Sequence, residues 1–430
     1  SKQIIQESVP KFIKEEVMEN SIVGKKNILL PSDRDGYMHL YLYDMKGKLI
    51  RQVEKGNYDV TAIYGMDEKT GDIYFQAAML NAHDRQVYVA HKNGKVERLT
   101  SEEGSNSAYF SGDYHYFVNN WSSYSHPYVY TVRNNKGKVI KTLEDNKKLL
   151  EKTKQYNWGK RETFTFTTSE GVKLDGWMVK PVDFDASKKY PLIINVHGGP
   201  QMQWMNSFRG DWQVYPAAGY VVAYPNPHGS TGYGQAFTRA ISGDWGGKVF
   251  EDVMKVTDKL ATLEYVDSTR MGAMGWSYGG YMMNWLQGHT KRFKCLASMM
   301  GVYDLRSMWG STEEVWFPNF ELEGQPYNSD LYEKWSPSSY IKNFSTPTLV
   351  MTGELDYRVP YTQSLQYFTA LQTLNIPSRL IVLKYDGHWP SNLKSMPLYY
   401  NAHLDWFHRY LGGAPAPWDT EKMVNNEIEY

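Results

Sequence analysis

The stretch that most restricts the fold runs from Arg270 to Leu286. A short apolar run, Met271-Gly272-Ala273-Met274, meets Gly275-Trp276-Ser277-Tyr278-Gly279-Gly280, and Tyr281-Met282-Met283-Asn284-Trp285-Leu286 continues at helical spacing. Strand, sharp turn and helix in that order form a nucleophile elbow, which lifts a serine hydroxyl above the edge of a sheet. Glycine is needed on both sides because the serine sits in a strained backbone conformation and the helix passes close behind it. The Gly-x-Ser-x-Gly pentapeptide alone also matches ordinary strand–helix turns, so the rest of the chain has to discriminate.

The flanking pattern is that of an α/β sheet. Glu162–Thr167 and Leu174–Lys180 read as a hairpin turning at Gly171. Pro191–Val196 and Gly219–Tyr224 are continuous apolar strands, as expected where helices cover both faces of a sheet. Val249–Leu263 has helical spacing, Cys295–Val302 reads as the strand after the elbow helix, and Pro347–Gly353 and Arg379–Leu383 are the last two strands. Helices are expected over Tyr361–Leu374 and Leu398–Tyr410. Such alternation predicts a mostly parallel sheet whose active centre lies beyond the carboxyl ends of its strands.

A serine hydroxyl becomes a nucleophile only when a base takes its proton and a third group orients that base. On this fold the order along the chain is serine, acid, histidine. His388 follows the last strand in Tyr385-Asp386-Gly387-His388-Trp389-Pro390, whereas His403 and His408 fall within the closing helix, where packing or solvation is the simpler reading. Asp356 follows the preceding strand and is the expected acid; Glu354 competes by position, and Asp386 is expected to cap its own turn. The catalytic set is therefore Ser277, Asp356 and His388. An oxyanion needs preorganised donors, worth roughly 3–4 kcal/mol each. The backbone N–H of Tyr278 is one, and the His197-Gly198-Gly199-Pro200 turn after the Pro191–Val196 strand should supply the other.

The first third repeats. Tyr41–Leu49, Val87–Val96 and Tyr128–Val139 are each an alternating strand, a glycine turn and a second strand, with Gly47, Gly94 and Gly137 lying 47 and 43 residues apart. That period fits a four-stranded propeller blade of roughly 40–50 residues. Three blades do not close a propeller, which takes about 4–8, so the chain is expected to be the C-terminal piece of a longer one. The expected domains are partial propeller blades over 1–145, a hinge over 146–161, an α/β-hydrolase domain over 162–415 and a C-terminal tail over 416–430.

Composition excludes several classes. Of 430 residues, 47 are Lys or Arg and 47 are Asp or Glu, so no net charge favours nucleic acid or an anionic membrane surface. No apolar run approaches the roughly 20 residues of a membrane span. One cysteine, Cys295, cannot form an intramolecular disulfide or a cysteine-based zinc site.

The elbow Gly275-Trp276-Ser277-Tyr278-Gly279-Gly280-Tyr281, with 79 residues from Ser277 to Asp356 and 32 from Asp356 to His388, resembles the prolyl oligopeptidase family of serine peptidases, in its dipeptidyl peptidase IV-like and acylaminoacyl peptidase branches. Ser32-Asp33-Arg34-Asp35-Gly36-Tyr37 and Leu143-Glu144-Asp145-Asn146 are similar to the last propeller blades of such enzymes. The resemblance implies a serine exopeptidase acting near the N-terminus of short peptides through an acyl-enzyme, without metal or cofactor. An acylaminoacyl peptidase or esterase on the same fold is the alternative, and a non-enzymatic binding protein would be expected to have lost a triad member. His197 stands where many relatives place a tyrosine, leaving either its ring or the loop backbone as the second oxyanion donor. Met308 and Thr312 lie near the places where proline-selective relatives carry two tyrosines, and the Leu305–Pro318 stretch is more similar to the dipeptidyl peptidase V branch. An apolar pocket for Ala and other hydrophobic side chains is expected from Tyr281, Val302, Trp316, Phe317 and Val359, although each equally suits the core. In dipeptidyl-peptidase relatives, acidic residues of an earlier blade hold the substrate's free amine. A peptide is the expected partner, a homodimer an allowed assembly, and the resemblance suggests a periplasmic or cytoplasmic bacterial enzyme.

Overall fold

The structure, a computed structural model, describes residues 3–8, 19–168 and 171–428. The chain forms two compact units. Unit 1 comprises Ser1–Tyr156, Met205–Arg209 and Ser230–Arg239, and unit 2 comprises Asn157–Trp204, Gly210–Gly229 and Ala240–Tyr430.

Unit 1 contains three four-stranded antiparallel sheets. The first is β1 (Ile22–Val23), β2 (Asn27–Ser32), β3 (His39–Asp44) and β4 (Leu49–Gln52); the second is β5 (Val60–Asp67), β6 (Asp72–Ala77), β7 (Gln86–Ala90) and β8 (Val96–Arg98). The third is β9 (Ser105–Phe110), β10 (Tyr116–Ser123), β11 (His126–Asn134) and β12 (Val139–Glu144). The three repeat glycines fall in the same hairpin of each sheet, between its third and fourth strands. Their φ angles are 81° at Gly47, 89° at Gly94 and 82° at Gly137, a region costly for any residue with a Cβ. Leu29 and Leu40 of the first sheet share a core with Phe75 and Tyr88 of the second, and Tyr74 and Val87 of the second pack with Ala108 and Phe117 of the third. These are successive propeller blades, stacked through apolar faces. Helix α1 (Lys147–Thr153) follows them.

Unit 2 is built on one eight-stranded sheet. Its strands are β13 (Arg161–Thr167), β14 (Lys173–Val179), β15 (Tyr190–Val196), β16 (Val221–Asn226), β17 (Val266–Trp276), β18 (Cys295–Met299), β19 (Thr348–Gly353) and β20 (Ser378–Leu383), in the order β13-β14-β16-β15-β17-β18-β19-β20. The β13–β14 hairpin is antiparallel to its neighbour β16, and β16 through β20 run parallel. Helices α2 (Lys248–Ala261), α3 (Tyr278–His289), α4 (Trp316–Glu321), α5 (Thr362–Thr373) and α6 (Ser395–Leu411) follow in sequence. In α2, Val249, Val253, Val256 and Leu260 recur every three or four residues and are buried, so one stripe of the helix faces the core. Every residue of β18 is buried, as expected with both sheet faces covered.

Several strand bounds differ from the sequence reading, most of them by a single residue, and two strands differ for a visible local reason. The strand expected over Gly219–Tyr224 begins at Val221, because Gly219 turns with φ 90°, and it runs on to Asn226 by pairing with Asp175 of β14. The strand expected over Cys295–Val302 stops at Met299, where Met300 adopts φ 47°. Within the segment read as a C-terminal tail, Asp419 caps a short helix at Thr420–Val424, and Asn401 of α6 donates to the Trp418 carbonyl and the Thr420 hydroxyl. Among the described residues, no helix is long and apolar enough to cross a membrane.

Candidate active site

Four loops at the carboxyl ends of β15, β17, β19 and β20 hold the candidate catalytic and oxyanion-binding residues. At the end of β17, Ser277 has φ 60° and ψ −118°, and α3 begins at the next residue. The strain is sustained because the elbow is packed from both sides: a Cβ on Gly275 would lie 2.4 Å from the Gly279 carbonyl oxygen, and one on Gly279 2.1 Å from that of Val196. The Ser277 N–H donates to the Met299 carbonyl at 2.9 Å, tying the turn to β18.

The other two candidate groups meet this serine. Ser277 Oγ lies 2.9 Å from His388 Nε2, and His388 Nδ1 lies 2.8 Å from Asp356 Oδ2. The second oxygen of Asp356 accepts the backbone N–H groups of Arg358 at 3.0 Å and Val359 at 2.9 Å, which fixes the carboxylate in its own turn. Asp356 is buried whereas Glu354 is exposed, so it is the aspartate that reaches the imidazole. Asp386 accepts from the N–H groups of Ser391 and Asn392 and from the Ser395 hydroxyl, shaping the loop that carries His388. The indole N–H of Trp276 donates to the His388 carbonyl at 2.9 Å. Such a chain of hydroxyl, imidazole and carboxylate permits proton removal from Ser277 while the carboxylate holds the Nδ1–H tautomer.

Above the serine lies the loop after β15. A Cβ on Gly198 would meet the Trp276 carbonyl oxygen at 3.0 Å and Ser277 Cβ at 3.2 Å, so the main chain here passes directly against the elbow. The His197 ring is buried, and burial pulls its pKa down to about 4, so it is neutral near pH 7. Its Nδ1–H donates to the Gly198 carbonyl at 2.7 Å, which commits the one proton a neutral imidazole carries.

The five residues expected to line the substrate pocket are dispersed in character. Tyr281 is fully buried one helical turn behind Ser277, and its hydroxyl donates to the Trp335 carbonyl at 2.9 Å. Val302 and Val359 are buried, the former with its carbonyl accepting from Asn284. Trp316 is 47% exposed and Phe317 half-buried, their rings 5.6 Å apart and edge-on. Trp245, which sequence reasoning missed, connects them: its ring lies 5.2 Å from Tyr281, 5.5 Å from Tyr278 and 5.8 Å from Phe317. Glu321 was also missed, although its spacing of four from Phe317 places both on one face of α4. The only sequence signal at Trp245 was its setting between Gly243 and Gly246-Gly247. Thr312, near one of the tyrosine positions of proline-selective relatives, donates its hydroxyl to the Arg358 carbonyl at 2.7 Å. His403 is buried in α6, donates to the Tyr399 carbonyl and has a pKa lowered by burial to about 4; His408 is exposed.

Residues 206–414 match the sequence profile of the prolyl oligopeptidase family, and residues 1–128 that of the dipeptidyl peptidase IV N-terminal region. The chain belongs to the prolyl oligopeptidase family. It is 32% identical over 403 residues to dipeptidyl-peptidase 5 of Porphyromonas gingivalis, covering 90% of this chain and 58% of that one. It is 38% identical over 255 residues to dipeptidyl-peptidase 5 of Schizosaccharomyces pombe, covering 58% of this chain and 37% of that one. Among solved structures, Porphyromonas gingivalis dipeptidyl peptidase 4 superimposes with a TM-score of 0.87 at 28% identity, over 95% of this chain and 58% of its own. The acylaminoacyl peptidase of Pyrococcus horikoshii shares the fold, with a TM-score of 0.79 at 24% identity over 93% of this chain and 64% of its own. The chain thus spans between 37% and 58% of the length of these two dipeptidyl-peptidase 5 relatives.

Proposed function

We propose that this chain carries the catalytic machinery of a serine exopeptidase that removes dipeptides from short peptides through an acyl-enzyme, with Ala or another apolar residue at the cleaved bond. The observation that carries the reading is the unbroken relay from Ser277 Oγ through His388 to Asp356, at 2.9 and 2.8 Å. In this reading Ser277 attacks the scissile carbonyl as His388 Nε2 takes its proton. The imidazolium is stabilised by Asp356 and returns the proton to the leaving amine. Water then repeats the sequence on the acyl-enzyme. The oxyanion is received by the Tyr278 N–H and by the backbone of the Gly198 turn rather than by the His197 ring, whose proton is already given to the Gly198 carbonyl. The apolar side of the site is formed by Phe317, Trp316 and Val359, with Tyr281, Val302 and Trp245 as the packed wall behind it.

An acylaminoacyl peptidase or esterase is the second reading, favoured by the fold shared with the Pyrococcus enzyme. A panel of H-X-Ala, acetyl-Ala and p-nitrophenyl ester substrates separates them. A dipeptidyl peptidase requires the free amine two residues from the cleaved bond; turnover of acetyl-Ala anilides above that of H-X-Ala anilides would favour the second reading.

A further inference from the structure

Glu321 is a carboxylate with no exposed surface, at the end of the short helix α4. Burying a carboxylate costs several kcal/mol unless hydrogen bonds replace its water. Here three donors from two other segments converge on it. Gln201 Nε2 lies 3.2 Å and Ser242 Oγ 3.0 Å from one carboxylate oxygen, and Trp245 Nε1 lies 3.2 Å from the other. The Glu321 carbonyl also accepts the Gly243 N–H at 2.8 Å.

These donors belong to the parts of the chain that flank Ser277. Gln201 is three residues beyond Gly198, in the loop that passes over the serine. Trp245 receives the hydroxyl of Tyr278 on its backbone carbonyl, and its ring packs edge-on against the Tyr278 ring at 5.5 Å. Burial, then Asp244, Glu321 and Asp252, hold the Tyr278 phenol protonated well above its ordinary range, so it stays a donor. One continuous path therefore joins Tyr278 to Trp245, Trp245 to Glu321, and Glu321 to Gln201.

We infer that Glu321 is a positioning residue that sets the spacing between the two arms of the oxyanion hole, the Tyr278 amide and the Gly198 turn. The inference rests on the serine-hydrolase reading above. Glu321 touches no reacting atom in this account. Its effect is to hold the β15 loop and the elbow in register, which matters most when charge has developed on the substrate oxygen. A merely apolar filler in this space would pack the core equally well and leave the loop untethered.

Glu321→Gln preserves volume but turns one acceptor into a donor facing Gln201 and Ser242 or Trp245. The expected result on an H-X-Ala anilide or a p-nitrophenyl ester is a tenfold or greater fall in kcat with KM within about twofold. The affinity for a peptidyl boronic acid, which forms a tetrahedral adduct, falls by the same factor, while that for the product dipeptide is unchanged. Unchanged kcat in a folded variant, or a rise in KM alone, would overturn the inference. Should that variant not fold, Trp245→Phe and Gln201→Ala each cut one arm: each is expected to lower kcat about fivefold, and the double variant to fall no further than the worse single one. Independent, multiplicative losses would overturn the inference. A fluorophosphonate on the unchanged protein separates the two levels: no labelling of Ser277 would refute the hydrolase reading and this inference with it, whereas normal labelling with an unaffected Glu321→Gln would refute this inference alone.

Discussion

Gly198 sits so close to Ser277 that a methyl group on it would stand 3.2 Å from the serine Cβ and 3.0 Å from the Trp276 carbonyl oxygen. In the proposed reading, the main chain of this turn receives the oxygen that develops charge above the serine. Gly198→Ala is expected to displace the loop by a few tenths of an ångström and to lower kcat/KM about 10–100-fold, with little change in melting temperature. Ester hydrolysis alongside thermal unfolding checks this; full activity in the Ala variant would show that the loop stands apart from the chemistry.

The second prediction contrasts two acids two residues apart. Asp356 is buried and within 2.8 Å of His388 Nδ1, and Glu354 is exposed. Asp356→Asn places an amide where the imidazole N–H needs an acceptor and favours the wrong tautomer, so kcat is expected to fall by about 10⁴. Glu354→Gln is expected to stay within about twofold. Steady-state kinetics on the two variants decides, and a reversed order would reassign the acid.

Much of this site was legible because its logic is serial. Ser277, Asp356 and His388 each follow a strand, and a parallel sheet delivers all strand ends to one edge. The repeat of Gly47, Gly94 and Gly137 was legible because a tight hairpin demands φ near 80° at the same place in every blade. Choosing between Asp356 and Glu354 was not possible from position, since both lie in one turn and only its path determines which side chain faces inward. Trp245 and Glu321 were illegible for a different reason. Their partners lie 33 or more residues away along the chain, Gln201 and Glu321 being 120 apart, and no local periodicity encodes such a meeting. The end of β18 at Met299 was missed because apolar residues continue to Val302 although the backbone has already turned.

Acid should weaken unit 2 through its buried imidazoles. His197 and His403 are neutral in the folded chain with pKa values lowered by burial from 6.5 to about 4. Between those values the unfolded chain binds protons that the folded chain does not, so stability is full above pH 6.5 and falls as pH drops toward 4. The loss is expected to reach up to roughly 2 kcal/mol per imidazole at pH 5. Urea midpoints at pH 7.5 and 5 measure it, and His403→Gln should remove about half of the difference. A midpoint that does not move between the two pH values would contradict the assignment of both rings as buried and neutral.

The most direct test of the account is covalent. A fluorophosphonate should modify one side chain per molecule, mapped by peptide mass spectrometry to Ser277. Ser277→Ala should abolish it. Stoichiometric labelling that survives Ser277→Ala, or a label mapped to any other residue, would contradict the account.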